Sequence, residues 1–279
     1  MELKDKTVLI TGSTDGVGRL VAQRLDAGGA RVLVHGRDGT RGKATVAEIE
    51  AAGGKAELLV ADLSSLAEVR RLAEAVRART GRLDILINNA GIGTAGTKRQ
   101  VSADGYELRF AVNYLAGFLL TSELLPLLKA SAPARIVNVA SAGQQAIDFD
   151  DVMLTRNYDG VRAYCQSKLA QIMFTLDLAQ ELKGTNVTVN SLHPASYMNT
   201  TMVRHAGITP WNSVETGADA ILNIATSPAL EGRSGLYFDG QRESRANAQA
   251  YDAKARQQLR TLSLDLVGRP SPISKERHS

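Results

Sequence analysis

Residues 7–27 read TVLITGSTDGVGRLVAQRLDA, and each third of that stretch dictates a different local structure. Thr7–Ile10 is a short, apolar, β-branched run of the kind that forms a strand covered on both faces. TGSTDGVG at Thr11–Gly18 follows at once, and from Val17 to Ala27 the apolar residues recur at helical spacing. A strand that feeds a helix through a glycine turn leaves the first helical N–H groups without partners, at the positive end of the helix dipole. That is a site for a pyrophosphate. Gly12 permits the turn, Gly16 permits close approach of the backbone, and Gly18 lets helix and strand pack together. Ser13, Thr14, Asp15 and Val17 complete the loop. The bland alternative is a structural tight turn.

Outward from this unit the alternation repeats. Arg31–His35, Ala56–Val60, Ile85–Asn88, Arg135–Val139 and Val187–Leu192 read as buried strands. Arg41–Ala52, Leu66–Thr80, Ala103–Lys129 and Tyr164–Lys183 have helical spacing and length. Pro126 is expected to end or kink the long Ala103–Lys129 helix. With a short seventh strand at Gly235–Phe238 and a last helix over Asn247–Leu264, the pattern predicts an α/β fold. It is a single-domain, doubly wound Rossmann-type parallel sheet of about seven strands, with helices on both faces. The domain spans residues 1–267, and GRPSPISKERHS at 268–279 reads as a mobile tail. Ser196–Ser213 lacks periodicity and is either an adaptable lid over a substrate or an irregular connection.

Composition closes off several classes. The chain has 279 residues and 44% hydrophobic content, enough for a sizeable core. No apolar run is expected to reach membrane-spanning length, so the chain is expected to lie in the cytoplasm without a membrane span. A net charge of +4 is spread over helical faces, as at Arg19, Arg24, Arg70, Arg71, Arg77 and Arg79, which disfavours nucleic acid. His35, His193, His205 and His278 are scattered, and no metal site is expected. The single cysteine, Cys165, reads as a packing residue over a reactive thiol.

Two further places carry chemistry. The second strand ends in His35-Gly36-Arg37, where an NAD site would place a carboxylate for the ribose 2′-hydroxyl. Gly36 leaves room and Arg37 offers a fork for a 2′-phosphate, which predicts NADP(H), although Arg37 also reads as a loop arginine that Asp38 partly neutralises. In YCQSK, Tyr164 and Lys168 stand one helical turn apart. A cation ~4–5 Å from a phenol favours phenolate by roughly 3–4 kcal/mol, which would bring Tyr164 toward working pH as a proton donor. Taken alone the pair is also an ordinary surface tyrosine and lysine.

Taken as an ordered set, TGSTDGVG, Asp62-Leu63, NNAG at Asn88–Gly91, Asn113, Ser141 and YCQSK resemble the short-chain dehydrogenase/reductase family over roughly Lys4 to Gly268. The resemblance implies that Asp62 and Leu63 receive the adenine, while Asn89, Ala90 and Gly91 border the adenosine ribose and brace the sheet. It implies a catalytic group of Asn113, Ser141, Tyr164 and Lys168. Ser141 would bond the substrate oxygen, Tyr164 would exchange its proton, Lys168 would hold the nicotinamide ribose, and Asn113 would fix a water leading to solvent. Relatives also pair subunits through the two long helices, so a homodimer or homotetramer is expected.

Two departures from the family pattern stand out. Pro194 is followed by Ala195 where Gly is usual, and Asn199 replaces the Thr expected near the nicotinamide. Ser141 and Tyr164 are also separated by the long insertion GQQAIDFDDVMLTRNYDGVRA. That insertion and the C-terminal GLYFDGQRESRANAQAYDAKARQQL are similar to the retinol-dehydrogenase-like and WW-domain-oxidoreductase-like branch. Phe149, Val152, Met153, Met198, Met202 and Trp211 either line an apolar pocket or pack the insertion onto the body. The expected activity is hydride transfer between NADP(H) and a small-molecule carbonyl or alcohol substrate, hydrophobic or polycyclic. The alternatives are a silent NADP(H)-binding sensor or scaffold, and a C=C reductase or epimerase on the same fold.

Overall fold

All seven apolar runs become strands of one sheet in the computed structural model, which describes residues 1–96 and 98–269. They are β1 (Thr7–Ile10), β2 (Arg31–Gly36), β3 (Lys55–Val60), β4 (Ile85–Asn88), β5 (Ala134–Val139), β6 (Val187–His193) and β7 (Tyr237–Asp239). An eighth, β8 (Arg242–Ser244), lies beyond β7, and the order is β3-β2-β1-β4-β5-β6-β7-β8. β1 to β7 are parallel, and β8 turns back antiparallel. β8 went unpredicted because its three residues are exposed and polar. The signal was in the turn, where Asp239-Gly240 precedes Gln241 and Gly240 takes φ 58°.

The crossovers are helices: α1 (Gly16–Ala27), α2 (Gly39–Ala51), α3 (Leu66–Arg79), α4 (Ala116–Ala130), α5 (Gly160–Glu181), α6 (Thr201–His205), α7 (Val214–Thr226) and α8 (Ala253–Leu266). Asp15, Asp38, Ser65, Asp159, Thr200, Ser213 and Asp252 cap their N-termini with side-chain oxygens. One face of the sheet carries a core with Val21, Leu25, Ile221 and Ile224, and the other a core with Leu72, Leu119, Leu128 and Ile172. Every residue of β1, β4 and β5 is therefore buried.

The long helix differs from expectation at its start. Ser102 accepts the N–H groups of Asp104 and Tyr106, and Val101 bridges Glu107, so residues 101–107 form a turn. A π-helical stretch, Phe110–Leu115, then runs straight into α4. Pro126 does not end α4, which continues to Ala130. The stretch Phe110–Ala130 is also, at 21 residues and mean hydropathy 1.4, long and apolar enough to cross a membrane by composition, which corrects the expectation that no segment is. In this fold it is a core helix packed between α3 and α5, with Leu119, Leu120, Leu124 and Leu128 all fully buried.

The last helix is a short 3-10 turn, Ala248–Tyr251, followed by α8. α8 lies across the outer face of α4 and α5. Arg256 pairs with Asp177 at 2.7 Å, Arg260 with Glu181 at 2.9 Å, and Arg269 with Glu123 at 2.7 Å. Between them Ser263 meets the Tyr114 hydroxyl at 2.7 Å, with both residues buried. This is the face expected to pair subunits, and the chain covers it with its own helix. No residue from Phe110 to Leu125 or from Arg162 to Ala179 is exposed. Of the expected mobile tail, Gly268 and Arg269 are ordered against the body, and residues 270–279 lie outside the described residues.

Candidate active site

The sheet order reverses between β1 and β4, and the loops after those two strands open side by side at the strands' C-terminal ends. A crevice at that point is where a doubly wound sheet binds its ligand. Asn89 builds the join: its Nδ2 donates to the Thr11 and Gly12 carbonyls at 2.9 and 3.1 Å, while its own N–H and that of Ala90 donate to Thr11 Oγ1 at 3.0 Å. Gly12, at φ 65°, leaves no space for a Cβ, which would stand 2.9 Å from Ala90 Cα. At Gly18 a Cβ would meet the Gly12 carbonyl oxygen at 2.3 Å, so helix and turn touch as the spacing predicts.

Within the loop the residues divide. Ser13 is fully buried and its hydroxyl is spent on the Ile10 carbonyl and the His35 N–H, so it braces β1 against β2 and does not face a ligand. Thr14 packs on Gly36, Asp15 caps α1, and Val17 lies near Gly217. His35, set aside in the sequence among scattered histidines, is a strut. Its Nδ1 accepts the Gly12 N–H at 3.2 Å, so Nε2 carries the proton and donates to the Ala61 carbonyl at 3.2 Å. Burial pushes it down to about 4, against the pull of the Ala61 bond and Asp62. It joins the glycine loop to the end of β3, where Asp62 turns one oxygen to the Ser64 N–H and Leu63 is buried.

Arg37 leaves β2 exposed, with no hydrogen bond or ion pair among the described residues. Asp38 does not neutralise it. Its carboxylate caps α2 through the Thr40 and Arg41 N–H groups and faces Arg41 at 3.6 Å. The cradle therefore fits a dinucleotide: open N–H donors on α1, no Cβ at the crowded glycines, and a spare guanidinium at the end of β2.

At the other end of the crevice the catalytic candidates converge. α5 carries Tyr164 and Lys168, β5 leads to Ser141, and the π-helical stretch carries Asn113. A π-bulge is often found at a functional site. Asn113 Oδ1 accepts the Ile92 N–H at 2.7 Å and its Nδ2 donates to Ser167 Oγ at 2.9 Å, which fixes the loop after β4 against α5. A Cβ on Gly91 would lie 3.3 Å from Asn113 Oδ1 and 3.4 Å from Lys168 Nζ, so these three meet. Ser141 Oγ accepts the Gly143 N–H at 3.0 Å, and a Cβ on Gly143 would stand 3.4 Å from that oxygen and 3.7 Å from Tyr164 Cε1.

The electrostatics correct one expectation. Lys168 Nζ is 5.8 Å from the Tyr164 ring centroid and donates to the Val139 carbonyl and to Gln171 Oε1, both at 2.9 Å. Burial raises Tyr164 above the usual phenol range, the Ser141 hydroxyl pulls it back, and Cys165 raises it slightly. Lys168, by burial, falls to about 7. Burial, the largest influence on the phenol, outweighs the pull of its neighbours and leaves it above its ordinary value.

The lid region is ordered. A neck joins Met198 to Asn212, Asn212 Nδ2 donates to the Ser196 carbonyl at 2.6 Å, and Tyr197 stacks on Trp211 with centroids 5.1 Å apart. α6 then spans two loops, since the Met202 side chain covers Gly93 and Thr200 covers Gly16. Asn199 turns the other way and accepts from Arg204 at 2.6 Å, while Pro194 is buried behind it. Thr200, one residue on, is thus the side chain against the phosphate loop, a neighbour that matching positions by number missed. The proposed apolar pocket is not assembled. Phe149, Val152 and Met153 pack on the core, Met198 packs on Gly217, and Trp211 is 72% exposed. Of the six, Met202 lies against Gly93 in the loop after β4.

Comparison with known proteins agrees with this geometry. The family model for short chain dehydrogenases matches residues 6–210. Human retinol dehydrogenase 13 is 37% identical over 98% of this chain and 87% of its own length. A crystal structure of an uncharacterized protein from Mycobacterium paratuberculosis superposes with a TM-score of 0.80 at 28% identity, covering 97% of this chain and 96% of that one. A Burkholderia cenocepacia short chain dehydrogenase in complex with NADP superposes at 0.70 with 30% identity, over 86% and 98% of the two chains. With the glycine loop, the Asn113, Ser141, Tyr164 and Lys168 group and these matches in place, the chain belongs to the short-chain dehydrogenase family, in its retinol-dehydrogenase-like branch.

Proposed function

We propose that the protein is an NADP(H)-dependent oxidoreductase that interconverts a hydrophobic carbonyl compound and its secondary alcohol. The observation that carries this reading is the meeting of Tyr164, Ser141, Lys168 and Asn113 at the mouth of a crevice whose far end presents Arg37. When bound, the nicotinamide supplies or accepts the hydride. Ser141 donates to the substrate oxygen and holds it at the Tyr164 hydroxyl. Tyr164 gives up its proton to that oxygen in reduction and regains it in oxidation. Lys168 supplies positive charge beneath the phenol, and Asn113 keeps the loop after β4 pressed on α5. Met202 and the relatives' activity on retinol support an apolar substrate.

Tyr164→Phe is the direct test. Turnover of NADPH with a ketone panel is expected to fall by about 10²–10⁴ while NADPH binding, read by fluorescence, holds. Retention of most activity would sink the mechanism, and binding without turnover on ketones, enones and sugar nucleotides alike would favour a sensor. For the cofactor, Arg37→Ala is expected to raise the KM for NADPH at least tenfold and leave that for NADH unchanged. Equal KM values for the two cofactors in the unmodified protein would remove the NADP(H) assignment.

A further inference from the structure

Lys168 has a partner that the catalytic group does not include. Gln171 lies one turn further along α5, 4% exposed, and its Oε1 is 2.9 Å from Lys168 Nζ. An ammonium has only donors, so the glutamine must present its oxygen. The turn that carries it is itself fixed by a buried polar chain. Thr175 Oγ1 donates to the Gln171 carbonyl, Asn138 Nδ2 donates to Thr175 Oγ1, and Asn88 Nδ2 donates to Asn138 Oδ1, each at 2.8 Å. Asn88 Nδ2 also reaches Thr121 Oγ1 on α4 at 2.9 Å. A buried amide is costly unless its polar end is used, and here it is used on the lysine.

We propose that Gln171 is the positioning residue for Lys168, its side-chain oxygen holding the ammonium between the end of β5 and the loop after β4 and favouring the protonated form. The proposal rests on the oxidoreductase reading for the importance of Lys168, but the interaction belongs to the protein alone. Burial brings Lys168 to about 7, where charged and neutral forms compete near neutrality and one charge-assisted hydrogen bond decides between them. The titratable groups that face it are few. Tyr164 lies on its own helix, and His193 lies at the end of β6 with Asp239 of β7 beside it. Among the described residues, the groups of β5, of the loop after β4 and of the π-helical stretch that meet it are neutral: the Val139 carbonyl, Gly91 and Asn113.

The test is the titration of Lys168 followed by NMR of lysine labelled at 13Cε and 15Nζ, on the full chain without nucleotide, with the resonance assigned by its loss in Lys168→Arg. Gln171→Met, close in volume but without the acceptor, is expected to lower the midpoint by about one pH unit or more. Gln171→Glu, the same shape with a charge, is expected to raise it by a similar amount or more. A midpoint that stays put in both variants, or moves the same way in both, overturns the proposal, since mere packing would not give opposite signs. If Gln171→Met does not fold, Gln171→Glu still decides, because a midpoint that fails to rise overturns it. Failure of the enzymatic reading would show instead in the Tyr164→Phe kinetics, which this titration does not involve.

Discussion

His35 couples the phosphate loop to the protonation state of a single ring. With a folded value of about 4 against an ordinary 6.5, the unfolded chain takes up this proton first as pH falls. The stabilisation is therefore complete above about 6.5 and is lost between there and about 4, a loss of roughly 3 kcal/mol. Urea unfolding across that range should show this slope and lose it in His35→Gln; an unchanged slope would place the acid sensitivity elsewhere. Arg109 is a second such residue, 4% exposed beside Glu107 at 1%. It donates to the Gly93 and Ala95 carbonyls at 2.8 and 2.6 Å, and Tyr158 from the insertion donates to Glu107 at 3.0 Å. Arg109→Met strands the Glu107 charge and should cost about 3–5 kcal/mol in denaturant titration; a loss below about 1 kcal/mol would show the charge to be otherwise compensated. Neither residue was legible in the sequence as important. Apart from Glu107, two residues from Arg109, their partners are distant in the chain or are backbone groups, which leave no pattern in side-chain spacing.

Among elements, the join of β1, the glycine turn and α1 carries the tightest constraint. Gly18→Ala would drive a methyl group to 2.3 Å from the Gly12 carbonyl oxygen and 2.5 Å from Asn89 Nδ2. NADPH affinity should fall at least tenfold, with a lower Tm, because the first turn of α1 must move away from the crevice; wild-type affinity in isothermal titration would show that the turn can relax. This element was readable from the sequence because its cause is local: glycines at fixed offsets between a strand period and a helix period. Of the candidate catalytic group, Tyr164 and Lys168 were readable from their spacing on one helix face, whereas Asn113 and Ser141 were picked out by the resemblance to a family. The start of the long helix was not readable, because Ser102 competes for the backbone locally, and the contacts of residues 196–213 with Gly16 and Gly93 were not, because they are made across the fold. Pro126 does not end α4, because local strain does not outweigh the burial of Leu124 and Leu128 on either side of it.

At the scale of the whole molecule, α8 lies over α4 and α5, the face expected to pair subunits. Displacing α8 from those helices would cost three ion pairs and the burial of Leu259 and Val267. Light scattering at micromolar concentration should therefore return the mass of one chain, 29.8 kDa. A mass near twice that, with cross-links between α4 of one copy and α4 of another, would show that α8 swings away in solution. The order of translation gives this arrangement a further consequence. α8 leaves the ribosome well after α4 and α5, so the nascent chain presents the rings of Tyr114, Phe118 and Phe174 to water until it arrives. During that interval a chaperone would find an apolar surface there.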